Sequence, residues 1–185
     1  MRISLRILGV LAALALPAAA PGASERPYAG LEQRPVKALS EQEAADLLAG
    51  RGMGFALSAE LNGLPGPRHV LDLADALRLD AAQRAAIGRL FEEMRDSAVA
   101  LGRRVVEREA ALDRLFAAPR PDEAAIKAAV AEIAALRGDL RFLHLGYHLT
   151  TRDLLTPEQI AQYRQARGYG PAQPAPAGHG HGQPH

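Results

Sequence analysis

Two long stretches of this chain carry no proline and keep a three-to-four-residue apolar rhythm, and they leave little choice of fold. The first runs from Ala81 to about Ala117, 37 residues without a proline. As one helix it would extend about 55 Å at 1.5 Å per residue. Its apolar positions, Ile87, Leu90, Phe91, Met94, Ala98, Leu101, Val105, Leu112, Leu115 and Phe116, make one stripe. Pro119 and Pro121 break the run, because proline cannot continue a helix. Asp122 can cap a second helix to about Thr150, with Ile126, Val130, Ile133, Leu140, Leu143 and Tyr147 as its stripe. Two such helices joined by a short turn predict an antiparallel hairpin.

Shorter helices flank it. Ser40-Glu41-Gln42-Glu43 reads as a capping box, with Gly50 as a helix stop. Phe55–Leu61 and His69–Arg78 read as short helices, the latter with Val70, Leu73 and Leu77 on one side. Asn62-Gly63 and Pro65-Gly66-Pro67 mark the turn between them. Thr156-Pro157-Glu158-Gln159 opens a last helix, with threonine at the N-cap and proline at the first helical position. No segment shows sustained strand alternation. The fold expected is all-α: a long antiparallel helical hairpin with short flanking helices. Each long helix buries only one stripe, so the short helices must pack across it or two copies must associate. A homodimer is the expectation, and an exposed apolar concave face the alternative.

The ends read differently. Arg2 and Arg6, the apolar run Ile7–Leu16 and the small-residue segment Pro17–Ala23 resemble an export signal. The expected location is therefore the periplasm, with the signal removed; an uncleaved inner-membrane anchor is the alternative. Residues 24–66 read as an arm with short helices, 67–167 as the hairpin domain, and 168–185 as a disordered tail rich in Gly, Pro and His.

Composition excludes several functions. Lys and Arg number 22 against 21 Asp and Glu, so no basic surface for nucleic acid is expected. With no cysteine, the chain has no disulfide, thiolate metal site or thiol nucleophile. Gly50-Arg51-Gly52-Met53-Gly54 imitates a phosphate loop, but no strand precedes it and no Lys-Ser/Thr follows. No serine lies in a nucleophile motif, and an enzyme is not expected.

Leu155-Thr156-Pro157-Glu158-Gln159 matches an L-T-x-x-Q signature, and Leu79-Asp80-Ala81-Ala82-Gln83 departs from it by Asp for Thr. Asp keeps the capping chemistry. Two such motifs flanking a helical hairpin, behind an export signal and without cysteine, resemble the Spy/CpxP family of periplasmic proteins, with its ZraP-like and CnrX-like metal-responsive relatives. The resemblance covers about residues 70–167. It implies a cradle-shaped helical dimer that acts as an ATP-independent chaperone for unfolded periplasmic proteins. Alternatively, it implies a heavy-metal sensor or resistance accessory protein, or a regulator of a membrane sensor kinase. Metal-responsive members bind divalent ions such as zinc, copper, nickel or cobalt.

The residues themselves offer one metal candidate. His144 and His148 are one helical turn apart, which places two imidazoles on one face. Leu145 occupies the place of the metalloprotease glutamate, which disfavours proteolysis. A third ligand could come from His69, from Glu107 or Glu109 on the facing helix, or from a partner chain. The competing reading is a structural or pH-responsive histidine pair. In the tail, His179, His181 and His185 could trap borderline or soft ions, or simply stay solvated. No residue is singled out for client contact.

Overall fold

The computed structural model describes residues 26–169. The export-signal segment and the tail histidines His179, His181 and His185 lie outside them. Among the described residues there are six α-helices and no strand: α1 (Glu41–Leu48), α2 (Leu57–Glu60), α3 (Pro67–Asp72), α4 (Ala81–Phe116), α5 (Glu123–Asp153) and α6 (Pro157–Ala166), with a 3₁₀ turn at Leu31–Gln33. The all-helical hairpin expected from the two proline-free runs is present, formed by α4 and α5.

Local chemistry fixes the helix ends. Ser40, Asp80 and Thr156 each accept a hydrogen bond from the backbone N–H three residues on. The side chains of Glu43, Gln83 and Gln159 return the bond to the cap residue's own N–H, which satisfies donors a helix start otherwise orphans. Helix α1 ends at Gly50, whose φ of 66° is costly for other residues. There Arg51 N–H donates to Asp46 O and Gly50 N–H to Leu47 O, a Schellman closure. Gly102 on α4 lets α1 approach to backbone contact, since a Cβ there would collide with the Leu47 carbonyl.

The hairpin solves its thinness with its own N-terminal half. Val36, Leu39 and Leu47 pack with Ala98 and Val105 of α4 and Leu136 and Leu140 of α5 into one core. The arm thus lies on its own hairpin, held further by Lys37 N–H donating to Asp113 (2.8 Å). A second core forms at the open end of the hairpin, where Val70, Ala74, Leu77 and Leu79 meet Ile87, Leu155 and Tyr163. Toward the α4–α5 turn no third layer remains among the described residues. Phe116 and Val130, expected in the buried stripes, are therefore exposed, whereas Leu136 is buried. Helix α3 is also shorter than the expected His69–Arg78: it stops at Asp72 and continues as turns. Leu79 N–H donates to Ala74 O there, which brings both Leu77 and Leu79 into the second core. Helix α2 is trimmed likewise to Leu57–Glu60.

The two L-x-x-x-Q segments face each other across the open end. Gln83 Nε2 donates to Gln159 Oε1 (2.9 Å), and Gln159 Nε2 donates to Gln83 Oε1 (3.0 Å). The second Nε2 bonds go to Leu154 O and Leu77 O respectively. Each amide oxygen also accepts from its own cap N–H, at Asp80 or Thr156. This reciprocal clasp joins the start of α4 to the start of α6. Replacing Gln159 by Leu leaves Leu77 O and the Thr156 N–H without their partner and takes both clasp bonds from the Gln83 amide, so it should cost about 1–3 kcal/mol in urea unfolding. The Gln83→Leu/Gln159→Leu pair should cost clearly less than the sum of the single changes, because each already breaks the shared bonds.

Candidate metal centre

Between the two cores lies a cavity of about 650 Å³. Its position follows from the helix registers. Leu140 on α5 belongs to the first core and Leu155, just past the end of α5, to the second, with His144 and His148 between them. On α4, Ala98 and Ile87 mark the two cores, with Phe91, Met94 and Arg95 between. The Gly50–Gly54 loop and the Gly66–His69 segment complete the wall.

The cavity gathers three of the histidines singled out in the sequence: His69, His144 and His148 all line it. His144 is 3% exposed, its ring stacks on Phe55 at 6.0 Å, and its Nε2 has no hydrogen-bond partner. A buried polar nitrogen left unpaired is costly and calls for a role. His148 Nδ1 lies 2.9 Å from Leu64 O. A carbonyl can only accept, so Nδ1 carries the proton and Nε2 keeps its lone pair. Metal-binding imidazoles are commonly oriented by such a bond. Gly66 makes room for this ring: a Cβ there would come within 2.7 Å of His148 Nε2.

Glu60 was not foreseen. It is 5% exposed and sits at the centre of a polar cluster. Tyr163 donates to both its oxygens (2.8 Å each), and Arg167 Nε (2.8 Å) and Tyr169 (2.9 Å) donate to Oε1. Its Oε2 faces His69 Nδ1 at 3.4 Å and His148 Nδ1 at 4.0 Å. The sequence held one hint, a lone acid in the otherwise uncharged run from Phe55 to Leu64. Tyr169 belongs to a segment expected to be unstructured. It is instead held by Glu60 and by a Schellman closure at Gly168, where Tyr169 N–H donates to Arg164 O.

Glu109 takes no part in this cavity. It is buried on α4, where Arg137 Nη2 donates to it at 2.8 Å, so its charge is already matched. Glu107 is exposed. Among the described residues, no group of three or more His, Asp or Glu stands ready to hold an ion. What fits a metal is the His144–His148 pair: one orphaned imidazole nitrogen, and a second ring whose tautomer is fixed by a carbonyl.

Burial pushes the basicity of both imidazoles down; proximity to His148 adds to the effect on His144, while the Leu64 bond and Glu60 oppose it on His148. Both rings are thus neutral, the form that ligates. Burial raises the Glu60 carboxyl, but bonds from Tyr163, Tyr169 and Arg167 outweigh it and hold the group below its usual range. The signs separate by pH. The unfolded chain takes up protons on His144 and His148 below about pH 6.5 while the folded chain resists, so stability is full above that pH and falls beneath it. The contribution of Glu60 is present above about pH 4.5 and is lost only in stronger acid. Unfolding free energy measured from about pH 7.5 to about 5.5 should therefore decline, by at most about 1.4 kcal/mol per histidine per pH unit. In His144→Phe, which keeps an aromatic ring against Phe55, the decline should be shallower.

Comparisons with known proteins address the chain as a whole. No curated protein and no solved structure matches it. A family model described as heavy-metal resistance matches residues 53–162, which include Met53, Glu60, His69, Met94, His144 and His148. The match begins well upstream of the segment that resembled Spy/CpxP proteins, and it names no subgroup. Since it covers more than half of the sequence, the chain belongs to the heavy-metal resistance family.

Proposed function

We propose that this protein is a metal-binding sensor or accessory protein of heavy-metal resistance, working in the periplasm, with His144 and His148 as its ligands. The observation that carries the reading is the buried His144 nitrogen without a partner, one helical turn from an imidazole held in ligating form. The family match favours this reading over a client-holding chaperone.

The chain's contribution is a preformed seat. Leu64 orients His148, Phe55 steadies His144, and Gly66 leaves space for the His148 ring. Glu60 places negative charge beside the neutral His148 ring, and Tyr163 and Arg167 keep that carboxylate in place. A bound cation would supply the positive charge that these groups are arranged to share. Two imidazoles from one helix give modest affinity alone, so further donors must come from the cavity wall.

Calorimetric titration with zinc, copper and nickel tests the proposal, using a chain in which His179, His181 and His185 are replaced by Ala to silence the tail. Micromolar or tighter binding that disappears in His144→Ala/His148→Ala is expected. Undiminished binding in that variant, or no uptake by the parent, would overturn it. Gly66→Ala probes the seat without touching a ligand. Gly66 has an ordinary φ of −93°, so the new methyl acts only by displacing the His148 ring. Affinity should fall about 10- to 100-fold, as when a ligand's supporting contacts are removed.

A further inference from the structure

Histidine and methionine are distributed unevenly over the described residues. The chain has three methionines, of which Met53 and Met94 are described, and both line the cavity. His69, His144 and His148 are the described histidines, and all three line the same cavity. Hydrophobic packing alone does not explain the methionines, because the two cores on either side contain none. The chain has no cysteine, so thioethers are its only soft donors.

Met53 is held there at a conformational cost. It has a φ of 43°, a region that a residue with a side chain adopts reluctantly, and it lies between Gly52 and Gly54. Glycine would relieve the strain. The Gly50–Gly54 loop, which in sequence imitates a phosphate loop, thus presents a methionine to the cavity. Met94 reaches the same space from α4 and is buried. The remaining wall is largely apolar, with Leu57 and Phe91, and its three arginines are each paired: Arg51 with Asp46, Arg68 with Asp72, and Arg95 with Glu92 and Asp96.

We propose that the cavity selects a soft monovalent cation, cuprous or silver, held by the thioethers of Met53 and Met94 together with the imidazoles of His144 and His148. The inference rests on the metal-binding reading above and names its ion. Four considerations point the same way. Thioethers favour cuprous copper over zinc and over the harder divalent ions. A structural zinc site wants four nitrogen, oxygen or thiolate ligands, and among the described residues no group of three His, Asp or Glu is assembled. The one carboxylate of the cavity, Glu60, is already engaged by two tyrosines and an arginine, which leaves the neutral donors for the ion. A single positive charge also costs less to bury in an apolar wall than a double one.

X-ray absorption at the copper edge, on the full chain loaded anaerobically with one equivalent of cuprous ion, reads the ligand atoms directly. Copper–sulfur scattering is expected, and with no cysteine it can come only from methionine. It should vanish in Met53→Leu/Met94→Leu, in which leucine conserves size and apolarity. The same variant should bind silver ion about tenfold or more weakly while its zinc affinity stays unchanged. Scattering from nitrogen and oxygen alone in the parent chain would overturn the soft-ion inference. The metal-binding reading would survive that result if His144→Ala/His148→Ala lost the ion. If the histidine variant kept its ion, both would fall. Because the parent spectrum is decisive by itself, a variant that folds poorly cannot obscure the answer.

Discussion

The reciprocal bond between Gln83 and Gln159 is the contact on which the functional end of the molecule depends. Each side-chain amide closes its own helix cap and grips the other, so one pair of residues fixes two helix starts and their mutual distance. The start of α6 is set by this clasp. The helix then carries Tyr163 into the second core and onto Glu60. Arg167, one turn further, and Tyr169 follow it to the same carboxylate. The chain of consequence runs from a local capping motif to the charge beside the histidines.

Placing the cavity between two cores gives it contradictory properties that a metal seat needs. The flanking cores keep α4 and α5 in register, so the His144 and His148 rings cannot drift. Burial of the two rings keeps both neutral. An apolar cavity would have been simpler to fill with leucine. Instead the chain buries an imidazole nitrogen without a partner and holds a methionine at a left-handed φ. Both departures are unfavourable for stability, and both residues line the same cavity.

Much of this was legible in the sequence because it is local. The caps at Ser40, Asp80 and Thr156 depend on residues three positions away, and the hairpin depends on periodicity within each helix. The four-residue spacing of His144 and His148 likewise put them on one face. What could not be read is set by distant partners. Glu60 meets Tyr163 and Tyr169 across more than a hundred residues of chain. Glu109 looked available for a metal until Arg137, on the opposite helix, proved to neutralise it. Periodicity also placed Phe116 and Val130 in buried stripes without saying whether anything would cover them, and at the turn end nothing among the described residues does.

Locating a bound ion by anomalous diffraction tests the central claim most directly. Crystals of the full chain grown with silver or copper should show one strong anomalous peak in the cavity, in contact with the His144 and His148 rings. Peaks confined to the protein surface or the tail, with His144 still stacked on Phe55 and its nitrogen still unpartnered, would contradict the account.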